Sequence, residues 1–212
     1  MSQIRTTCDT ANGEFNINQW VTKYSNYTKC NNYTRFNNRT RTQGVMALKR
    51  TSSGIIIGAS VVESAKDTFT QQAVDLQLNP LDNEVFIVQA IDMMLGRPDA
   101  VAGTDTLMIG CLTTTSQTAM PAFNSSNVLS MKQHEITSAN ATSAVAFSSG
   151  SNETPPTSLD HIGIISTNDF FLQVQGHNNV AGHSLQVKVY GYRAKADSAT
   201  YAALVQSEVL SS

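Results

Sequence analysis

The sequence predicts an all-β sandwich, with an extended polar arm in front of it and one short helix behind. Three observations carry that expectation. Apolar, β-branched segments of strand length recur from Gly44 to Arg193, with turn-forming residues between them. The stretch before Gly44 holds neither helical nor strand periodicity for long. The stretch after Arg193 changes to the three- and four-residue spacing of a helix. The chain of 212 residues therefore divides into an arm (1–43), a sandwich (44–194) and a helical tail (195–212).

The arm is crowded with Asn, Thr and Gln, interleaved with Phe15, Trp20, Tyr24, Tyr27, Tyr33 and Phe36. Asn12-Gly13, Asn31-Asn32 and Asn37-Asn38 favour turns. Aromatic side chains on an extended segment need a surface to lie on, whether their own subunit, a neighbour or nucleic acid.

Strand signals then follow in order. Val45–Leu48 and Gly54–Val62 are apolar and rich in strand formers. In Phe69–Leu78, Val74, Leu76 and Leu78 alternate with Asp75 and Gln77, the pattern of a half-buried strand. Asn79–Asn83 supplies a turn around Pro80. Glu84–Leu95 is a long apolar run whose β-branched and aromatic content favours strand over buried helix. Asp105–Thr114 and Val128–Ile136 continue the series, and a Ser-rich loop at 148–156 separates them from His161–Ile165, Phe170–Gln175 and Leu185–Arg193. Gly176–Gly182 reads as a hairpin link. Asp197 or Ser198 can cap a helix whose stripe is Tyr201, Leu204, Val205 and Glu208-Val209. Eight or nine strands of this length point to a β-sandwich, and among sandwiches to a jelly roll.

Charge and composition narrow the function. Only 14% of residues are charged, against roughly 25% in ordinary soluble domains. The net charge of −2 conceals a split, because residues 1–50 carry eight basic and two acidic side chains and the remainder six basic and fourteen acidic. The result is +6 in the first part and −8 in the second, a reason to expect an anionic partner or a sister subunit for the basic part. No segment approaches the ~18 uninterrupted apolar residues of a membrane helix, so no membrane-spanning segment is expected. The opening residues lack the apolar segment of a secretory leader. Cys8, Cys30 and Cys111 are an odd number without C-x-x-C spacing, read as free thiols of a reducing cytoplasm. The six N-x-Ser/Thr sites are then chance products of composition.

Chemistry is sparse. There is no G-x-S-x-G elbow, H-E-x-x-H pair, phosphate-binding P-loop or dinucleotide fingerprint. His134 and Glu135 are adjacent, so on a strand they point to opposite faces. His161, His177 and His183 are enough imidazoles for a metal, but the tight carboxylate-containing motif of the cupin jelly rolls is absent, and hydrogen-bonded or solvated histidines are expected. Cys111 sits in an apolar run and is read as an inert core thiol. Asp92, Asp99 and Asp105 are read as bordering turns. The expectation is no enzyme and no cofactor. Arg35, Arg39, Arg41, Lys49 and Arg50 can contact phosphates, with the arm's aromatics stacking on bases; against this, the cations are also accounted for by a solvated arm balanced by the acidic body.

The strand series from Gly44 to Arg193, the polar arm, the Ser/Thr-rich loops and the closing Val187-Lys-Val-Tyr-Gly-Tyr-Arg193 before a terminal helix together resemble viral jelly-roll capsid proteins, nearest the small subunits with one jelly roll. The resemblance spans roughly the whole chain as architecture. It implies a coat subunit that self-assembles into an icosahedral shell, made in a host cytoplasm and residing in the virion. Its partners would be copies of itself, other capsid proteins and, through the arm, the viral genome. Phe15, Trp20, Tyr24, Tyr27, Tyr33, Phe36, Tyr201, Leu204 and Val205 would then be interface residues. A different class is a carbohydrate- or receptor-binding jelly roll, such as a trimeric spike or fibre head, with loops 96–104, 117–126 and 148–158 as its site and Tyr190 or Tyr192 as exposed platforms. A cupin-like metalloenzyme is the third reading.

Overall fold

A computed structural model describes residues 48–140, 142–150 and 159–210. Ten strands and one helix make up this part: β1 (Lys49–Arg50), β2 (Ile55–Val62), β3 (Thr70–Asp75), β4 (Glu84–Leu95), β5 (Thr106–Thr113), β6 (Val128–Asn140), β7 (Ser143–Gly150), β8 (Gly163–Ile165), β9 (Asp169–His177), β10 (Ser184–Lys195) and α1 (Ser198–Leu210). The protein is thus mostly β with one short C-terminal helix. The strands form two antiparallel sheets arranged as a sandwich. The first runs β2-β10-β4-β8, with β1 extending the β2 edge along β10. The second runs β3-β9-β5-β6-β7.

The core lies between the sheets, where the alternation of each strand turns one row of side chains inward. Phe86, Val88 and Ile91 of β4 and Leu185, Val187 and Val189 of β10 meet Met108 and Leu112 of β5 and Phe170, Leu172 and Val174 of β9. The first part of β4, Val85–Val88, is apolar without a break because both of its faces are covered there, whereas further along Gln89, Asp92 and Met94 are exposed. Val85 and Ile87 belong to a second cluster with Ala194 and Ala196, against which Tyr201 and Leu204 of α1 pack. That double burial is why Val85–Val88 carries no strand alternation in its sequence, and Glu84–Leu95 is a strand as its β-branched content predicts.

A register shift between Tyr190 and Gly191 accommodates an extra residue in β4. At Gly191 the strands approach so closely that a Cβ would stand 2.2 Å from the Ile87 carbonyl oxygen and 2.7 Å from the Phe86 ring. Asn79 starts the turn after β3, its side chain accepting from the Leu81 N–H at 3.1 Å, and Asn83 leaves that turn in the left-handed region at φ 52°.

Three expectations need correction. Ser148–Gly150, expected to open a loop at 148–156, instead end a strand, Ser143–Gly150, whose Ser- and Ala-rich composition carries no strand signal. Pairing with β6 makes it one, across a turn in which the Asn140 side chain accepts from the Thr142 N–H at 2.9 Å. The Gly176–Gly182 link is not a hairpin, because β9 and β10 lie in different sheets. Turn residues mark a reversal of the chain but not which sheet the next strand joins. Asp92 borders no turn; it lies within β4, its carboxylate accepting from the Tyr190 hydroxyl at 2.9 Å. Of Val45–Leu48 only Leu48 is described, and it packs on the second cluster outside any strand.

Candidate functional site

One end of the sandwich concentrates the polar side chains. The link from β9 to β10 must cross between sheets there, and its backbone N–H groups cannot join a ladder while doing so. Carboxylates take them instead. Glu63, buried just beyond β2, accepts from the Gly176 N–H at 2.6 Å with Oε1 and from the His183 N–H at 2.9 Å with Oε2. Asp67 accepts from the Asn179 N–H at 3.0 Å. Asn179 is itself buried; its Oδ1 accepts from the Asp99 N–H at 2.9 Å, and its Nδ2 donates to the Leu107 carbonyl at 2.9 Å. Asp99 Oδ2 accepts from the Val180 N–H at 2.9 Å and the Ala181 N–H at 3.2 Å, and lies 3.2 Å from His183 Nε2.

These bonds favour ionised Asp99. The Val180 N–H, followed by His183 and the Ala181 N–H, holds its carboxyl below the usual aspartate range against an opposing contribution from burial. Each carboxylate oxygen so engaged faces a donor of its own chain, so a cation here would have to displace backbone bonds. Among the described residues no group of three or more His, Cys, Asp or Glu side chains converges to hold a metal. His183 sits on Asp99, His177 is exposed at the end of β9 and His161 is half-buried ahead of β8. The structure does not gather the three histidines.

His134 and Glu135 point to opposite faces of β6, as their adjacency requires, opposite Ser148 and Phe147 of β7. Burial, with Lys132 and Arg97 nearby, holds the His134 imidazole below its usual range. Cys111 is fully buried, and desolvation pushes its thiol up to about 12, so the nucleophilic thiolate is suppressed. Cys8 and Cys30 lie outside the described residues.

The segment after β5 is pinned over the outer side of the second sheet by an amide and hydroxyl network. Gln71 Oε1 accepts from the Gln117 N–H at 2.7 Å and from Gln173 Nε2 at 3.0 Å, while Gln173 Nε2 also donates to Thr113 Oγ1 at 2.6 Å. Asn127 Nδ2 donates to Thr115 Oγ1 at 2.9 Å. Sequence reasoning passed over this network. Its signal was the Thr113-Thr-Thr-Ser-Gln117 run at the end of an apolar strand, which looks like any polar loop until Gln71 and Gln173 are brought beside it.

The residues singled out from sequence fall into four groups. Arg35, Arg39, Arg41, Phe15, Trp20, Tyr24, Tyr27, Tyr33 and Phe36 lie outside the described residues. Lys49 and Arg50 form the exposed β1; the Arg50 guanidinium lies 4.4 Å over the Tyr192 ring, and its Nε donates to the Ser52 carbonyl at 2.7 Å. Tyr201, Leu204 and Val205 are half-buried, and the first two place apolar surface against the chain's own sheet. Tyr190 and Tyr192 are not exposed platforms. Both are half-buried, Tyr190 bonded to Asp92 and Tyr192 beneath Arg50.

What remains open to a partner is surface. Large apolar side chains project from the outer face of the first sheet (Ile56, Val62, Met94) and from β7 (Val145, Phe147), and Phe123 projects from the segment before β6. Glu63, Asp67, Asp99 and Glu208 are engaged in holding loops. No protein-family model matches the chain, and no curated protein matches it. No helix among the described residues is long and apolar enough to cross a membrane.

Proposed function

We propose that this chain is a self-assembling coat subunit of the viral capsid kind and that its sandwich is a jelly roll. The observation that carries the reading is the strand order. With β1 and β7 set aside, eight strands remain, β2-β10-β4-β8 facing β3-β9-β5-β6. Successive strands alternate between the sheets except at β5–β6, an order that supports the jelly-roll reading because a double Greek key would have it. A fold alone does not assign a function; the surface supplies the rest. Few charges and several exposed apolar side chains lower the cost of burying one subunit against another. The arm of residues 1–43 carries six basic and two acidic side chains (+4) and the remainder eight basic and fourteen acidic (−6), so an arm laid on a neighbouring body gains electrostatic attraction as well as buried aromatic area.

The test compares the full chain with a variant lacking residues 2–43, using light scattering and negative-stain images. The full chain forms large assemblies, and the truncated chain is a folded β-domain that does not. Identical particles from both would exclude a role for the arm in assembly. A full chain that stays monomeric at every concentration would exclude the coat reading.

A further inference from the structure

The second sheet ends in β7, and β7 differs from every other strand longer than the two-residue β1. All eight of its residues are exposed on both faces, including Val145 at 57% and Phe147 at 59%. It overhangs the first sheet, which ends with the three-residue β8. Its only strand partner among the described residues is β6, so among those residues its other side has no backbone ladder partner. Edge strands of soluble proteins are ordinarily protected by a charge, a proline, a bulge or short length. β7 has none of these, and no charged residue occurs between Ile136 and Gly150. The edge strand β2 is also uncharged, but it gives one row of side chains to the core and lies against β3 across the sandwich.

We propose that β7 is a subunit seam, pairing antiparallel with β7 of a second copy about a twofold axis at Ala146. The proposal rests on the assembly reading above and names the surface it uses. The choice of a second copy follows from self-complementarity. A twofold axis normal to the sheet keeps outer faces outer, so residues placed opposite must share a face. On β7 the outer face carries Val145, Phe147 and Ser149, opposite Thr137, Glu135 and Gln133 of β6. Centring the pair on Ala146 sets Val145 against Phe147 of the second copy twice over, and Ala144 against Ser148. Four large apolar side chains then form one cluster on the outer face, while the two Ala146 residues meet on the inner face. With no charge in the strand, pairing it with itself places no like charges opposite one another. The arm is a poorer occupant because its cations find no acidic group on β7.

The seam is tested in the full-length chain with Cys8→Ser and Cys30→Ser, which leaves the buried Cys111. Opposed residues in an antiparallel pair have Cα atoms about 4.5–5.5 Å apart, within disulfide range. Ala146→Cys is therefore expected to give a covalent dimer under mild oxidation, and Ser60→Cys on β2 is not. Separately, Val145→Lys with Phe147→Lys places lysines opposite lysines and should weaken dimer formation at least tenfold by sedimentation, with the thermal midpoint unchanged. If the parent assembles but Ala146→Cys gives no cross-link, or the double-lysine variant associates as tightly as the parent, the seam is wrong and the assembly reading stands. A cross-link that appears only when residues 2–43 are removed would assign the edge to the arm and overturn the seam. A parent that is monomeric throughout overturns both.

Discussion

Glu208 offers the sharpest test of how the terminal helix is held. It is 8% exposed, while its neighbour Val209 is 59% exposed. Its carboxylate accepts from the Ser166 N–H at 3.1 and 3.2 Å, the Ser166 hydroxyl at 2.7 Å and the Thr167 N–H at 2.9 Å. These donors lie in the turn between β8 and β9, so one side chain ties the end of α1 to both sheets. Glu208→Ala leaves two backbone N–H groups without their acceptor, at about 1–3 kcal/mol each. The hydroxyl can rotate and water can reach the end of a helix, so the lower part of the resulting range, about 2–4 kcal/mol, is expected. For a chain of this size that is a fall of roughly 4–16 °C in Tm. An isolated helix of thirteen residues is marginal in water, so α1 should let go before the sandwich unfolds. Hydrogen exchange would then show amides 198–210 losing protection while β4 and β10 keep theirs. Glu208→Gln retains one acceptor oxygen and should cost about half as much. A Glu208→Ala variant within about 0.5 kcal/mol of the parent, or a glutamine as harmful as alanine, would refute the reasoning.

Two further perturbations follow from the geometry. Gly191→Ala forces a methyl group against the Ile87 carbonyl and the Phe86 ring and should cost about 3 kcal/mol or more by urea denaturation. Gly58→Ala, whose Cβ would meet nothing within 4 Å, should instead stabilise by about 0.5 kcal/mol; equal midpoints would mean that the close approach at Gly191 is relaxed in solution. Asp99 has a depressed carboxyl pKa in the folded state, so the stability it contributes is full above the ordinary aspartate range and is lost as pH falls through its folded value. The difference in Tm between the parent and Asp99→Asn should therefore be constant near neutrality and close on acidification; a gap that persists in strong acid would contradict that linkage.

The two-sheet architecture was legible because strands with one buried face carry alternation, as in Leu185–Val189, and because β-branched content identified β4 where alternation failed. β7 was illegible for the complementary reason. It buries neither face, so nothing in its composition was selected by a core, and only its partner β6 defines it. The helix stripe was read on hydrophobicity as ending at Glu208-Val209, and the structure turns the acid inward and the valine out. A buried carboxylate with backbone donors cannot be anticipated from a helix considered alone, since Ser166 and Thr167 are 42 and 41 residues away. The polar end was partly visible, in that Asp99, His177 and His183 attracted attention. What the pattern lacked was Glu63, an acid beside an apolar strand, and the fact that the link it clamps crosses between sheets.

The same clamping is consistent with a charge-poor protein leaving β7 without charge. Chain crossings between sheets strip backbone N–H groups of ladder partners, and each needs an acceptor. Glu63, Asp67 and Asp99 serve the β9–β10 crossing, and Glu208 serves the β8–β9 crossing. An ionised oxygen makes the stronger bond for this purpose. With those acids fixed at crossings, the β6–β7 hairpin has an Asn140 side chain in its turn and needs no acid to form. The overhang is left with serine, alanine, valine and phenylalanine and nothing to repel an identical strand. Introducing a charge there should therefore leave folding intact and alter association alone, whereas removing a charge at a crossing should do the reverse.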